Sequence, residues 1–212
     1  MPEDLLLDLG ALRRRAVDRH RVECDLAADW VRAVLRDTDA TVEDAGHVAL
    51  DVFLQADGTV LAQGRLTLSF FVPCGRCLDP AAVNDVTDIL ATFVREGHEA
   101  QLPAQVEDDE GIGLAEDDLD VWVYDGQTLP LHQVVGESIK LAYPMRALCP
   151  RGEACRGLCS NCGAALNEQP LGRRCTACGA ELEGIALGEL PAEVEPPEGP
   201  LASALRKLDL PD

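Results

Sequence analysis

Eight of the nine cysteines in this 212-residue chain can be set into ligand pairs. Three pairs carry a two-residue gap: Cys74/Cys77, Cys159/Cys162 and Cys175/Cys178. That gap lets a tight turn aim both sulfurs at one metal ion, and Gly75, Gly163 and Gly179 beside the cysteines are expected to ease the turn. The unit from Cys159 to Cys178 has the pattern of a zinc knuckle or ribbon, which is a strong local signal. Cys149 and Cys155 lie just upstream, with Pro150 and Gly152 bending the chain between them. Two thiols left beside a zinc knuckle would invite oxidation or metal exchange. The pair Cys74/Cys77 also lacks partners of its own, so two and two make a second site: Cys74, Cys77, Cys149 and Cys155. A competing partition groups Cys149, Cys155, Cys159 and Cys162, and joins Cys74/Cys77 to Cys175/Cys178. Short loop closure favours the first partition for the terminal ribbon. Cys24 is left over and reads as an ordinary buried or half-buried thiol.

The chemistry expected of these residues is structural. A closed four-cysteine site offers no open position to water or substrate, so two such zinc ions would support folding. A CxxC pair can also serve thiol exchange, but there it starts a helix whose dipole lowers the first thiol's pKa. Here an apolar strand leads into Cys74 and "LDP" follows Cys77. The four histidines (His20, His47, His98, His132) have neither metal nor triad spacing, and no phosphate-cradling GxxxxGK[ST] motif occurs. No catalytic residue and no small-molecule substrate is assigned. The chain reads as non-enzymatic.

The elements that must carry the cysteines are mostly strands. In "VALDVFLQADGTVLAQGRLTLSFFVPC", Val48, Leu50, Val52 and Leu54 alternate with other residues. After the turn Val60, Ala62, Leu66, Leu68, Phe70 and Val72 keep one parity, and Gln63, Arg65, Thr67 and Ser69 keep the other. Period two buries one face, and Asp57-Gly58 is a hairpin turn. Residues 81–94 return as a third strand. Helical spacing appears over Asp25–Asp37, with Asp25 as N-cap and Leu26, Trp30 and Val34 on one face. It appears again over "LPLHQVVGESIKLAYP", and in a short C-terminal stretch from Pro200 with Leu201, Leu205 and Leu208 aligned. The expected fold is α+β and mostly β: an antiparallel sheet with few short helices and a C-terminal zinc knuckle or ribbon. The expected domains are a β-rich part (1–148) with an acidic loop near 97–118, a zinc-binding module (149–182), and a linker and tail (183–212).

Formal net charge is −20. Such a surface repels nucleic acid over most of its area and suits basic protein partners, though acidity also keeps proteins soluble. The charge is uneven. Acidic residues crowd the stretch from Glu107 to Asp125, whereas Lys140, Arg146, Arg151, Arg156, Arg173 and Arg174 outnumber Glu153 and Glu168 around the cysteines. The cysteine-rich segment is thus a basic island on an acidic protein. No run of apolar residues is long enough to span a bilayer. Acidic residues precede the first basic cluster, the reverse of a secretory signal, so a cytoplasmic protein with no membrane role is expected.

The stretches "VPCGRCLDP", "ESIKLAYPMRALC" and "CRGLCSNCGAALN", a further cysteine pair and a late "PLASALRKL" occur in this order. Together they resemble the YceD-like family of large ribosomal RNA subunit accumulation proteins, over about Leu5 to Leu208. The resemblance implies an acidic, non-enzymatic bacterial or plastid factor needed for accumulation of large-subunit (23S) rRNA. It implies that the motif cysteines carry over to Cys74, Cys77, Cys149, Cys155, Cys159, Cys162, Cys175 and Cys178. The last pair follows a longer insert than in many relatives. Expected partners are a large-subunit ribosomal protein, an rRNA precursor particle, or both. The alternative is a zinc-ribbon regulator of transcription that binds nucleic acid. Against it, no Phe, Trp or Tyr lies between Cys149 and Cys178 to stack on bases.

Overall fold

Alternation of apolar and polar residues dictates the central sheet. Val48, Leu50 and Val52 are buried on one strand, and Val60, Ala62, Leu66, Leu68, Phe70 and Val72 on the next. A computed structural model describes residues 2–44, 46–97, 107–108, 111–112 and 121–187. The chain divides into two units, Met1–Pro150 and Arg151–Asp212.

The first unit runs β1 (Leu6–Asp8), α1 (Leu9–Arg14), β2 (Arg19–Leu26), α2 (Ala28–Val34), β3 (Gly46–Leu54), β4 (Val60–Pro73) and β5 (Pro80–Arg95). Two very short strands follow, β6 (Glu107–Asp108) and β7 (Gly111–Ile112), then β8 (Val121–Tyr124), β9 (Thr128–Pro130) and α3 (Leu131–Leu141). The main sheet has the order β2-β3-β4-β5-β8. Its strands are antiparallel except β8, which runs parallel to β5. Leu131, Val134, Val135 and Ile139 form the buried stripe of α3, and α3 packs on β4, β5 and α2. Each fully buried Leu, Ile or Phe in this layer contributes about 1.5–3 kcal/mol.

The hairpin turn between β3 and β4 forms as the Asp57-Gly58 pair requires. Gly58 has φ +94, and the Asp57 carboxylate accepts a hydrogen bond from the Thr59 N–H. Gly64, further along β4, is fixed by a different constraint. A Cβ built there would lie 2.0 Å from the Ala49 carbonyl oxygen, so only glycine lets β3 and β4 approach. β5 returns beside β4 in unbroken antiparallel register, from Val60↔Phe93 to Pro73↔Pro80.

Two expectations change. The helix expected over Asp25–Asp37 begins at Ala28 and ends at Val34, because Asp25 and Leu26 close β2. Its N-cap position is Ala27, so Asp25 caps nothing. β2 itself was hidden by its composition: Arg19, Arg21, Glu23 and Asp25 line its wet face, and only Val22 and Leu26 are buried. Most of the expected acidic loop, the linker after Leu187 and the helix from Pro200 lie outside the described residues. Within that loop, the described pieces pair as Glu107↔Ile112 and Asp108↔Gly111.

The second unit has no α-helix among its described residues. Two 3-10 turns (Gly152–Ala154 and Gly184–Leu187) and the isolated bridges Leu158↔Ala165 and Arg174↔Glu181 shape it. Its core is Cys159, Leu166, Cys175 and Leu182, with Ala164, Ala180 and Ala186 packed on it. Among the described residues this core is small, and two of its members are candidate ligands.

Candidate metal centres

The three CxxC turns share one backbone construction. The N–H of the first cysteine donates to a carbonyl five residues on: Cys74 to Asp79, Cys159 to Ala164 and Cys175 to Ala180, at 2.8–2.9 Å. The carbonyl of that cysteine accepts from an N–H four residues on, from Leu78, Gly163 and Gly179, at 2.8–3.0 Å. The residue after the second cysteine must then turn left-handed, and φ is +65 at Leu78, +72 at Gly163 and +75 at Gly179. The expected role of Gly163 and Gly179 is met. That of Gly75 is not, because the left-handed position in the first turn belongs to Leu78. Gly75 instead donates its N–H to the Ala147 carbonyl at 2.9 Å, tying the turn to the segment that carries Cys149.

The sulfurs fall into two groups. Those of Cys74, Cys77, Cys149 and Cys155 lie within 4.8 Å of one another, and so do those of Cys159, Cys162, Cys175 and Cys178. This is the grouping of the first partition; the competing one is not what the chain builds. Individual separations are 3.7 Å for Cys77–Cys149, 3.7 Å for Cys159–Cys178 and 3.8 Å for Cys162–Cys175. A disulfide would require about 2.05 Å. Four sulfurs at about 2.3 Å from a central ion are separated by about 3.8 Å, so these distances fit the edges of a tetrahedral tetrathiolate site. Both groups could hold a metal ion, and zinc matches the donor set and the geometry. The first group is wholly buried, whereas Cys162 and Cys178 of the second are exposed.

The surroundings favour the thiolate at Cys74, Cys175 and Cys178. Cys162 instead is pushed up to about 12, because the Ala164 N–H that favours its thiolate is outweighed by its hydrogen bonds with the neighbouring cysteines and by burial. Burial pushes the Cys74 thiol up, but backbone N–H groups of Cys77, Cys149 and Arg76 outweigh it and bring Cys74 to about 6. Burial likewise opposes ionisation of Cys175. The N–H groups of Cys178 and Ala177 and the Gln169 amide overcome it, again to about 6. Cys178 is lowered as well, first by the Asn161 side chain and then by the Ala180 N–H. Hydrogen bonds aimed at sulfur are what a ligand set needs.

The remaining chemistry-bearing residues stay apart. Cys24, half-buried on β2, joins neither group, and burial raises its pKa. His47 sits at the surface beside Asp25 and Glu23, and His98 lies outside the described residues. Sequence reasoning missed Asn161 and Gln169 beside the sulfurs, and it misplaced Arg156. Arg156, expected on the basic face, is only 9% exposed. Arg174 meets Glu181 at 3.5 Å, and Glu181 and Glu183 lie just beyond the stretch that looked basic. Arg156 is therefore missing from the basic surface, whereas Arg174 stays exposed beside Glu181.

A family model, that of the large ribosomal RNA subunit accumulation protein YceD, matches residues 62–185, which include both four-sulfur groups. No curated protein and no solved structure matches the chain. The family match spans more than half of the sequence, and the chain belongs to this family.

Proposed function

We propose that this member of the YceD family is a non-enzymatic accessory factor in large-subunit biogenesis, and that it works by holding a basic component of the assembling particle. In this reading the eight cysteines bind two zinc ions that shape the scaffold and leave no coordination position for chemistry. The family's role in large-subunit rRNA accumulation supports the pathway. The observation that carries the mode of action is a groove on the first unit, of about 430 Å³, beside the Cys74/Cys77 turn. Phe71, Val72, Leu78 and Pro80 give it an apolar lining, Asp39 and Glu43 line it too, and no lysine or arginine does among the described residues. Leu78 is 65% exposed and holds its left-handed backbone there. An apolar anchor flanked by cations is the ligand such a groove fits, as ribosomal proteins of strongly basic composition would supply.

The charge of the second unit favours a protein over an RNA backbone as the main contact. Arg156 is buried and Arg174 is paired. A zinc ion with four thiolates adds two negative charges, so the module offers phosphates little. No described helix is long and apolar enough to cross a membrane. The proposed place of work is the cytoplasm, where large subunits are assembled.

Affinity purification at low and high salt, with zinc counted in the same sample, tests the proposal. Large-subunit proteins and precursor rRNA should co-purify at low salt, and Asp39→Lys with Glu43→Lys should abolish this while leaving the zinc content at two. Co-purification that ignores both salt and charge reversal would overturn it. Retardation of duplex DNA at physiological salt would favour the transcriptional alternative.

A further inference from the structure

Arg156 is a buried cation with no carboxylate partner among the described residues. Its Nε donates to the Ala186 carbonyl at 2.9 Å, and its Nη1 to the carbonyls of Leu166 (2.8 Å), Gln169 (2.7 Å) and Pro170 (3.5 Å). Its Nη2 is buried with no hydrogen-bond partner among the described residues. Carbonyl dipoles alone are poor compensation for a buried guanidinium, which ordinarily needs a counter-charge. A tetrathiolate site holding a divalent ion would carry a net charge of −2, the sign that this guanidinium lacks.

The segment that Arg156 grips also reaches both sulfur groups. The Asn167 Nδ2 donates to the Sγ of Cys155 at 3.4 Å, and the Gln169 Nε2 donates to the Sγ of Cys175 at 3.6 Å. Each amide is held in that orientation from its other end. The Arg156 N–H donates to the Asn167 Oδ1 at 2.8 Å, and the Thr176 N–H donates to the Gln169 Oε1 at 2.9 Å. The oxygens are thus occupied by N–H donors, and the amide nitrogens face sulfur. Two residues apart in sequence, Asn167 and Gln169 address cysteines of different groups.

We propose that Arg156 is a positioning residue for both metal sites. By clasping the carbonyls of 166–170 it aims Asn167 at the site containing Cys155 and Gln169 at the site containing Cys175. The inference rests on the reading that both groups hold metal. Outer hydrogen bonds of this kind govern metal affinity by about 10–100-fold.

The test loads the full-length protein with cadmium-113 and follows two resonances and two chelator release rates, assigned with Cys149→Ser and Cys162→Ser. Asn167→Leu should move the resonance of the Cys155 site and speed its release about 10-fold or more. Gln169→Leu should do the same at the Cys175 site only. Arg156→Met, which removes no contact to sulfur, should move both resonances and speed both releases. Arg156→Lys keeps the charge but loses the fork, and should do so less. Should Arg156→Met fail to fold, the lysine variant and the two amide variants still decide the matter. Wild-type resonances and rates in the Arg156 variants, with only a lowered melting temperature, would overturn the inference. So would amide variants that do not discriminate between the sites. Fewer than two zinc ions in the unmodified protein would instead remove the metal reading, and this inference with it.

Discussion

Removing one ligand from each group should have unequal consequences, and chain connectivity sets the difference. An ion joining Cys77 to Cys149 closes a span of 72 residues, and one joining Cys162 to Cys175 closes a span of 13. The loop entropy withdrawn from the unfolded chain is then about 4.4 kcal/mol for the first and about 2.9 kcal/mol for the second at 25 °C. The two effects also fall in different places. Trp30 in α2 and Trp122 in β8 both belong to the first unit, so tryptophan fluorescence follows its melting alone. At about 2–4 °C per kcal/mol for a unit of this size, Cys149→Ser should lower the tryptophan-detected midpoint by on the order of 10 °C. Cys162→Ser should lower it by no more than a few degrees, and zinc counting should find one ion remaining in each variant. Equal shifts in the two variants, or the loss of both ions from either one, would refute the connectivity argument.

Three further outcomes follow from the geometry. Gly64→Ala forces its methyl against the Ala49 carbonyl and must part β3 from β4, so urea unfolding should show a loss of about 3 kcal/mol. Leu78→Gly relieves a left-handed leucine worth about 1–2 kcal/mol, partly offset by glycine's backbone entropy of about 0.5–1 kcal/mol. Stability should therefore rise slightly, while retention of basic partners falls, and a variant that changes neither would contradict the role given to Leu78. Cys74 and Cys175, each held near 6 against an ordinary 9.0, contribute stability that is complete above 9.0 and is lost as pH falls through about 6. A chelator dye should accordingly report zinc release that steepens below about pH 6; release that is flat from pH 8 to 4 would count against thiolate ligation.

Much of the sheet was legible because its buried residues obey a simple parity. Leu66, Leu68, Phe70 and Val72 announce β4, and the Asp57-Gly58 turn announces its pairing with β3. β2 was not legible, since an edge strand with four charges on its wet face leaves only Val22 and Leu26 as signal. The parallel pairing of β8 with β5 was also hidden, because it joins segments far apart through a connection that carries no periodicity. The Cys159–Cys178 group could be read from its two-residue gaps, whereas joining Cys74/Cys77 to Cys149/Cys155 rested on the pairs left over and on loop closure. Arg156 was misread because composition assigns an arginine to the surface, and nothing in the sequence singled out Leu78. At Leu78 the knuckle's backbone fixes the conformation whatever side chain is present. At Arg156 a loop closed around candidate ligands turns its carbonyls inward, and a guanidinium can occupy the space they surround.

The unbroken register between β4 and β5 also limits how the length of this arm can change. The Cys74/Cys77 turn sits at its tip, and every residue on the way out is matched across the ladder from Val60↔Phe93 to Pro73↔Pro80. Losing one residue from a single strand would shear the ladder. Losing one matched rung would bring the tip in by about 3.3 Å and turn its cysteines to the opposite face. Only the loss or gain of two rungs together preserves the facing, at the cost of moving the turn by about 6.7 Å. Natural variation in the arm should therefore come in steps of four residues, two in each strand, accompanied by compensating changes in the segment that brings Cys149 to meet it.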